Sequence, residues 1–158
     1  MVSRIFGALA LSGVAVALGA GLATAHDASY RTSVSIHFYD AAAPGSGDSK
    51  CDDATNHHDC FYGRVSSKLS ACQPGRVVKV FDRNPTPPMR IPAGRADPPE
   101  LIGETTSDAE GHWIVIADDP GTHKFFAKVP RRTIVKPGHT HVCRRAVSDD
   151  LKVESDFG

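Results

Sequence analysis

Residues 101–129, LIGETTSDAEGHWIVIADDPGTHKFFAKV, contain three short apolar segments separated by two turn signals. The first turn signal, SDAEG at 107–111, ends in a glycine that can adopt positive φ, and the second is DDPG at 118–121. The third segment, 123–129, places Phe125, Ala127 and Val129 at every second position, which is typical of a β-strand with one buried face. The stretch therefore predicts three consecutive antiparallel strands, with the second strand paired to the first.

Alternation with period two also occurs in two earlier segments, 33–39 and 61–66, and predicts half-buried strands there. The segment 76–82 is apolar on both faces, as a central strand would be, and 132–135 and 139–147 add short candidates. Helical periodicity is absent outside the first 25 residues. We predict an all-β fold, an immunoglobulin-like antiparallel β-sandwich of about seven strands.

The first 25 residues have the features of an export signal. Arg4 supplies the positive charge, residues 5–22 are apolar, and Ala23-Thr24-Ala25 matches the A-x-A cleavage rule. An uncleaved membrane anchor is the alternative, because the apolar run approaches spanning length. We predict that residues 1–25 are a removed signal peptide, that no membrane span remains, and that the protein is secreted, either periplasmic or extracellular.

The charge of the predicted mature chain is nearly balanced. Its 133 residues carry 17 basic and 18 acidic side chains, without a basic stripe. Nucleic acids and anionic membrane surfaces both require clustered Lys and Arg, so neither is expected as a partner. The partner expected is therefore a protein or a glycan, either in the envelope or outside the cell.

The mature chain is predicted to fold as one domain preceded and followed by smaller segments. Residues 26–60 hold the first strand and a disulfide-closed loop, 61–148 form the sandwich core, and 149–158 form a charged tail. Within the core, 83–100 contains six prolines, too many missing N–H donors for sheet or helix. We predict an extended, exposed loop there and, with the cysteine loop, the place where a partner binds.

Four cysteines, Cys51, Cys60, Cys72 and Cys143, lie in the exported part. An even number in an oxidising compartment predicts two disulfides. Three pairings are possible, and the simplest joins Cys51 to Cys60 and Cys72 to Cys143. A cysteine metal site is disfavoured because the chain has no C-x-x-C pair.

Several short segments between residues 61 and 148 form a set: GRVS at 63–66, Cys72, GRVVKV at 75–80, TSDAEGHW at 106–113, Pro120-Gly121 and Ala127-Lys128-Val129. Together they resemble the carboxypeptidase regulatory-like, or transthyretin-like (prealbumin-like), β-sandwich domain of exported bacterial proteins. The most specific part is the Thr-x-Asp-x-x-Gly-x-Trp turn. In it Asp108 can cap the turn, Gly111 takes the strained position and Trp113 starts a strand facing the core.

The resemblance implies a folding, adhesion or recognition module that is not an enzyme. Hydroxyisourate hydrolases share the fold and use a histidine early in the first strand together with a Tyr-Arg-Gly-Ser end. His37 fits the first requirement, but this chain ends Ser155-Asp156-Phe157-Gly158. The chain also has no G-x-S-x-G, H-E-x-x-H or phosphate-binding glycine motif. A hydrolase is therefore a third option that rests on fold analogy alone.

Eight histidines lie in the predicted mature chain and suggest an alternative function. Cleavage after Ala25 would make His26 the N-terminus, where the α-amino group and the imidazole can chelate Cu(II). Copper-carrying periplasmic sandwiches and lytic polysaccharide monooxygenases use such a terminus. Further ligands could be His37, or His139 and His141, whose spacing places both on one face of a strand. The alternative is thus a periplasmic or extracellular copper-binding protein; otherwise these histidines are surface residues.

Two weaker candidate sites are a cation site in the cysteine loop and a sugar-stacking surface at Trp113. A cation could bind in the cysteine loop, although its acidic residues lack the alternate spacing of calcium loops. That site would use His57, His58, Asp52, Asp53 and Asp59. Trp113 could stack on a sugar if it were exposed, but a single Trp that opens a strand is more often part of a core.

Overall fold

A computed structural model describes residues 28–41, 51, 58–83, 98–117 and 120–154. Its secondary structure is almost entirely β, as predicted. A short 3-10 turn, Ser70–Cys72, precedes β5. The strands are β1 (Ala28–Tyr30), β2 (Thr32–Val34), β3 (His37–Tyr39), β4 (Cys60–Ser67), β5 (Val77–Asp82), β6 (Glu100–Thr106), β7 (His112–Ile116), β8 (Lys124–Val129), β9 (Arg132–Lys136), β10 (His139–Cys143), β11 (Ala146–Val147) and β12 (Leu151–Lys152).

The strands form three sheets. The first has the order β6-β5-β8-β11, with β12 also paired to β8, and the second has β4 at its centre with β7 on one side and β2 and β3 on the other. The third is small, with the order β1-β10-β9. Of the strand pairs described, β1 with β10 is parallel and the others are antiparallel.

The described residues contain more strands than the predicted seven, partly because one predicted strand is interrupted. β2 and β3 pair with β4 in one continuous register, with Val34 opposite Val65 and His37 opposite Tyr62. They are the two ends of the strand predicted at 33–39. The remaining excess comes from short elements such as β1 and β12, which are too brief to show alternation in the sequence.

The core lies between the two larger sheets, which pack face to face as in a β-sandwich. The ring of Phe61 in β4 lies 4.7 Å from that of Phe125 in β8. The predicted inward faces are confirmed, because alternate positions along the strands are fully buried. They include Phe61, Val65, Val78, Val80, Phe125, Ala127 and Val129. Each buried Val or Phe side chain in this set contributes about 1.5–3 kcal/mol by leaving water.

The expected pairing within 101–129 is wrong. β6 pairs with β5, and β7 pairs with β4 in the other sheet, so the 107–111 turn connects the two sheets and does not close a hairpin. β8 likewise pairs with β5 and not with β7. β5 is a central strand, and its backbone N–H and C=O groups pair with β6 on one edge and with β8 on the other. β7 pairs with β4 in the other sheet.

The turn itself forms as expected. The Asp108 Oδ1 atom accepts the backbone N–H groups of Glu110 at 3.0 Å and His112 at 2.7 Å. Gly111 has φ +88°, and its carbonyl accepts the Val65 N–H at 2.7 Å. The turn is therefore fastened to β4 directly.

We expect Gly111→Ala to lower the free energy of unfolding by about 3 kcal/mol, because positive φ and close contact act together. A Cβ at this position would lie 2.3 Å from the Val65 carbonyl oxygen. The matched control is Gly138→Ala, at φ +81° with nothing within 4 Å, where backbone strain alone should cost roughly 1 kcal/mol. Urea unfolding of both variants measures the difference, and equal losses would contradict this account.

The segment 149–158 is in part a strand. β12 pairs with β8, the Val153 side chain is buried in the core, and the Val153 N–H donates to the His123 carbonyl at 3.0 Å. Val153 therefore belongs to the same buried core as Val34, Ile36 and the strands between residues 61 and 148.

The simplest pairing of the cysteines is confirmed. Cys51 bonds to Cys60, and Cys72 bonds to Cys143, with Cα atoms 6.2 and 5.5 Å apart. The first bond closes the small loop beside Tyr39, and the second joins the 3-10 turn before β5 to the end of β10. No helix among the described residues is long and apolar enough to cross a membrane. The predicted signal peptide lies outside the described residues.

Candidate functional site

The histidines of β10 form the candidate site that the sequence predicted most directly. Alternation along the strand HTHVC puts His139, His141 and Cys143 on one face. Cys143 is fully buried and fixed by its disulfide, which anchors the end of the strand. The rings of His139 and His141 have centroids 4.7 Å apart and planes at 73°. Two imidazoles are thus side by side on a partly buried surface.

β1 lies against β10 on the edge opposite β9. The two strands are parallel, with Ala28 opposite His141 and Tyr30 opposite Cys143. The Tyr30 ring contacts His141 edge-on, at a centroid distance of 5.4 Å. His26 lies outside the described residues, two positions before Ala28 in the chain. β1 is therefore the strand next to His141 at the edge of the small sheet.

His37 is placed in a different sheet. It lies on β3, paired with β4, where its exposed side chain contacts the ring of Tyr62 at a centroid distance of 5.3 Å. Of the four histidines proposed as copper ligands, the structure brings together His139 and His141 and assigns His37 to another surface.

Asp82, which is buried, and His123, which is partly buried, form a polar pair that the sequence reasoning missed. The Asp82 side chain is 5% exposed, and its Oδ2 atom contacts the Nδ1 atom of His123. Both residues continue the inward alternation of their strands, Asp82 after Val78 and Val80 in β5 and His123 before Phe125 in β8. That alternation was the available signal.

Arg76 is a buried cation that the sequence reasoning also missed. Arg76 is only 1% exposed, and its guanidinium donates to backbone carbonyls from three separate segments. Desolvation lowers the pKa of Arg76, and the nearby charge of Arg132 lowers it further. Arginine nevertheless keeps its charge near neutral pH. The acceptors are the carbonyls of Cys72 at 3.0 Å, Pro130, and Arg144 at 3.3 Å.

Asp108, Glu110 and His112 form a group of three potential metal ligands, with donor atoms within 4.8 Å of one another. Partial desolvation acts to raise the pKa of Asp108, but N–H donors from His112 and Glu110 and the His112 ring outweigh it and lower that pKa. The carboxylate is therefore already used in closing the turn. We assign this exposed group to turn structure.

Of the two weaker candidates, the structure decides against the sugar-stacking role of Trp113, and most of the cation site lies outside the described residues. Trp113 is 3% exposed and belongs to the core, so it cannot stack on a sugar. Asp59 accepts the Ala41 N–H through Oδ1 at 2.9 Å, which ties it to the backbone. Asp52, Asp53 and His57 lie outside the described residues.

The fold and its bonds define the protein as an all-β domain stabilised by two disulfides, with a histidine pair on its smallest sheet. Searches against protein-family models, curated proteins and solved structures find no match.

Proposed function

We propose that the protein is a secreted or periplasmic β-sandwich of the transthyretin-like or carboxypeptidase regulatory-like type, and that it acts as a binding or structural module without catalytic activity. Two disulfides suit an oxidising compartment, since such bonds are rare in the cytosol. The A-x-A pattern at Ala23-Thr24-Ala25 supports export. The Thr-x-Asp-x-x-Gly-x-Trp pattern of the turn at 106–113 supports the proposed family.

The observation that carries this proposal is the way the proline-rich connection leaves the sheet. Asp82, the last residue of β5, is paired with Glu100, the first residue of β6, so both ends of the connection start from adjacent points. Arg83 fixes the start of this connection. Its backbone N–H donates to the Lys124 carbonyl at 2.7 Å, and its guanidinium lies 2.7 Å from the carboxylate of Asp150. The guanidinium also lies 4.5 Å from the ring centroid of Phe126.

A partner would be recognised by residues 84–97, which lie outside the described residues. Long connections on a rigid scaffold are common binding sites, and proline-rich segments lose little conformational entropy on binding. The partner proposed is a protein or a glycan in the envelope or outside the cell.

Replacing residues 84–97 by a short Asn-Gly turn tests the proposal. We expect the variant to keep its disulfides and its thermal unfolding midpoint but to lose the partners that the intact protein captures from its native envelope. A replacement of equal length made of Gly and Ser is the matched control, because it keeps the length and removes the prolines. Capture of the same partners by all three proteins would exclude this connection as the binding site.

Copper binding through His26 is the second candidate function, and the closeness of His139 and His141 favours it. The test is a Cu(II) titration of the exported protein, with its first residue identified by mass spectrometry. A tight one-to-one complex is expected when His26 is first. Absence of binding by that protein would eliminate this function and leave the binding module untouched.

A further inference from the structure

We infer that the protein binds an acidic glycan, a polyuronate with carboxylates on its sugars, along a surface with five exposed cations. We call this surface the basic strip, and its cations are Arg31, Lys68, Arg131, Arg144 and Arg145. Arg131 follows the end of β8, whereas the proline-rich connection leaves β5 at Asp82, opposite Phe125 near the start of β8. The strip is therefore a second site and goes beyond the proposed function.

The strip follows the outward side of residues 29–33. Ser29, Arg31 and Ser33 are exposed, whereas Thr32 and Val34 are buried. An extended chain directs alternate side chains to opposite sides, so the three exposed residues share one side. This segment pairs with β10 through β1 and with β4 through β2. It therefore joins cations near the end of β10 to a cation that follows β4.

Two cavities lie along this side of the segment. The first, of about 560 Å³, is lined by Ser29, Arg131, Val142, Arg144 and Arg145. The second, of about 490 Å³, is lined by Arg31, Ser33, Ser66, Ser67 and Lys68. Ser29 and Ser33 are four residues apart, so their Cα atoms are separated by at most about 14 Å. One extended oligosaccharide is long enough to occupy both cavities.

Hydrogen bonds fix the wall of the first cavity. The Arg144 backbone N–H donates to the Tyr30 carbonyl at 3.0 Å, and the Arg144 Nε atom donates to Ser29 Oγ at 2.8 Å. The preceding residue, Cys143, is fully buried and bonded to Cys72. The Arg144 side chain is thus held across the strip before a ligand binds, which lowers the entropy cost of binding.

The second cavity lies on paired backbone. Ser33 is opposite Ser66 in the antiparallel pair of β2 and β4, and Ser67 Oγ donates to the Arg31 carbonyl at 3.0 Å. A serine hydroxyl both donates and accepts hydrogen bonds, as a sugar hydroxyl does. Ser33 and Ser66 therefore suit the hydroxyl groups of a glycan, beside cations that suit its carboxylates.

The strip carries positive charge that the described residues do not neutralise. The buried Arg76 guanidinium donates to the Thr32 hydroxyl at 3.5 Å and to the carbonyls of Pro130 and Arg144, so it lies beneath the strip. Its described acceptors are neutral, so its charge adds to the potential at the surface. Among the described residues, no carboxylate lines either cavity and none of the five cations forms an ion pair. An anionic ligand supplies the counter-charge.

The lining of the strip favours a glycan carboxylate over a protein surface. Guanidinium groups bind planar carboxylates through two parallel hydrogen bonds, and four of the five cations are arginines. Protein interfaces bury aromatic or aliphatic anchors at their centres. Val142 is the one apolar side chain among the described residues that line the two cavities. A polar chain with repeated carboxylates matches this lining.

Calorimetry with a hexasaccharide of galacturonic acid tests the inference on the protein exported with its own leader. The matched ligand is the methyl ester of the same hexasaccharide, which keeps the sugar rings and removes the charge. Arg31→Gln and Arg145→Gln change one cation in each cavity, and Lys124→Gln removes the same charge at the far end of β8. All three positions are exposed, so the variants should keep the thermal unfolding midpoint of the unaltered protein.

We expect Arg31→Gln and Arg145→Gln each to weaken binding of the acid about 3- to 10-fold, the effect of losing one partly solvated charge contact. Lys124→Gln, and the variant with Asn-Gly in place of residues 84–97, should bind as the unaltered protein does. Equal binding of the acid and the ester, or an equal loss in Lys124→Gln, would overturn the inference. Equal affinity for a sulfated glucan or single-stranded DNA would also overturn it, because the strip would then respond to charge alone. Absence of binding by the unaltered protein would overturn it and leave the proposed function untouched.

Discussion

Replacing Cys72 and Cys143 together by alanine is expected to lower the free energy of unfolding by about 4 kcal/mol. The bond spans 71 residues of sequence, so its loss gives the unfolded chain a large gain in entropy. Both cysteines are fully buried, so contact with solvent at these positions does not offset the loss of the bond. The bond also fixes β10 against the turn that precedes the central strand β5. Urea unfolding with the remaining disulfide intact measures the loss.

The matched comparison is the double alanine replacement of Cys51 and Cys60. That bond spans 9 residues and should contribute less, about 3 kcal/mol on the same model. The local loop at Tyr39 should loosen while β5 and β10 keep their protection against hydrogen exchange. A larger loss from the short bond than from the long one would refute the loop-entropy explanation.

Arg76→Met is expected to lower the free energy of unfolding by about 3–5 kcal/mol, the usual effect of disrupting a buried charged network. Methionine fills much of the volume but leaves the carbonyls of Cys72, Pro130 and Arg144 without their donor. Those carbonyls belong to segments far apart in the sequence, so the guanidinium joins three parts of the fold. Arg76→Lys should recover only part of the loss, because an ammonium cannot present the same planar set of donors.

Arg132→Met is the control for Arg76. Its guanidinium also donates to backbone carbonyls, of Pro74 at 2.7 Å and Gly75 at 3.3 Å, but at an exposed position. Water can replace those donors, so the change should stay within about 0.5 kcal/mol. If both methionine variants unfold at the same urea concentration, burial is not the source of the effect.

The strands that were predicted well are those whose signal is local. Phe125, Ala127 and Val129 alternate within one segment, and the structure buries all three. The 107–111 turn was also predictable, because an aspartate side chain and a glycine with positive φ act within five residues. The pairing of the strands was not predictable in this way, since β6 and β7 are adjacent in the chain but join different sheets.

The site was predicted only in part, for a related reason. The spacing of His139 and His141 placed both on one face, and the structure confirms that they are neighbours. The position of His37 relative to them could not be read from spacing, because it depends on which sheet β3 joins. Arg76 and Asp82 are the first and last residues of the segment predicted as a strand at 76–82, and neither was proposed as a site residue. Both are buried in the structure, and Asp82 shares the inward alternation of β5.

By itself, the sequence determined that the chain is β-rich, where its main turns lie and that its cysteines could form two bonds, because these depend on the order of nearby residues and on a cysteine count. Only the tertiary structure decided which sheet each strand joins, that Arg76 and Asp82 are buried, that Asp82 contacts His123, and that β1 runs beside the histidines of β10. Those features come from contacts between residues far apart in the chain, and local alternation carries no information about them.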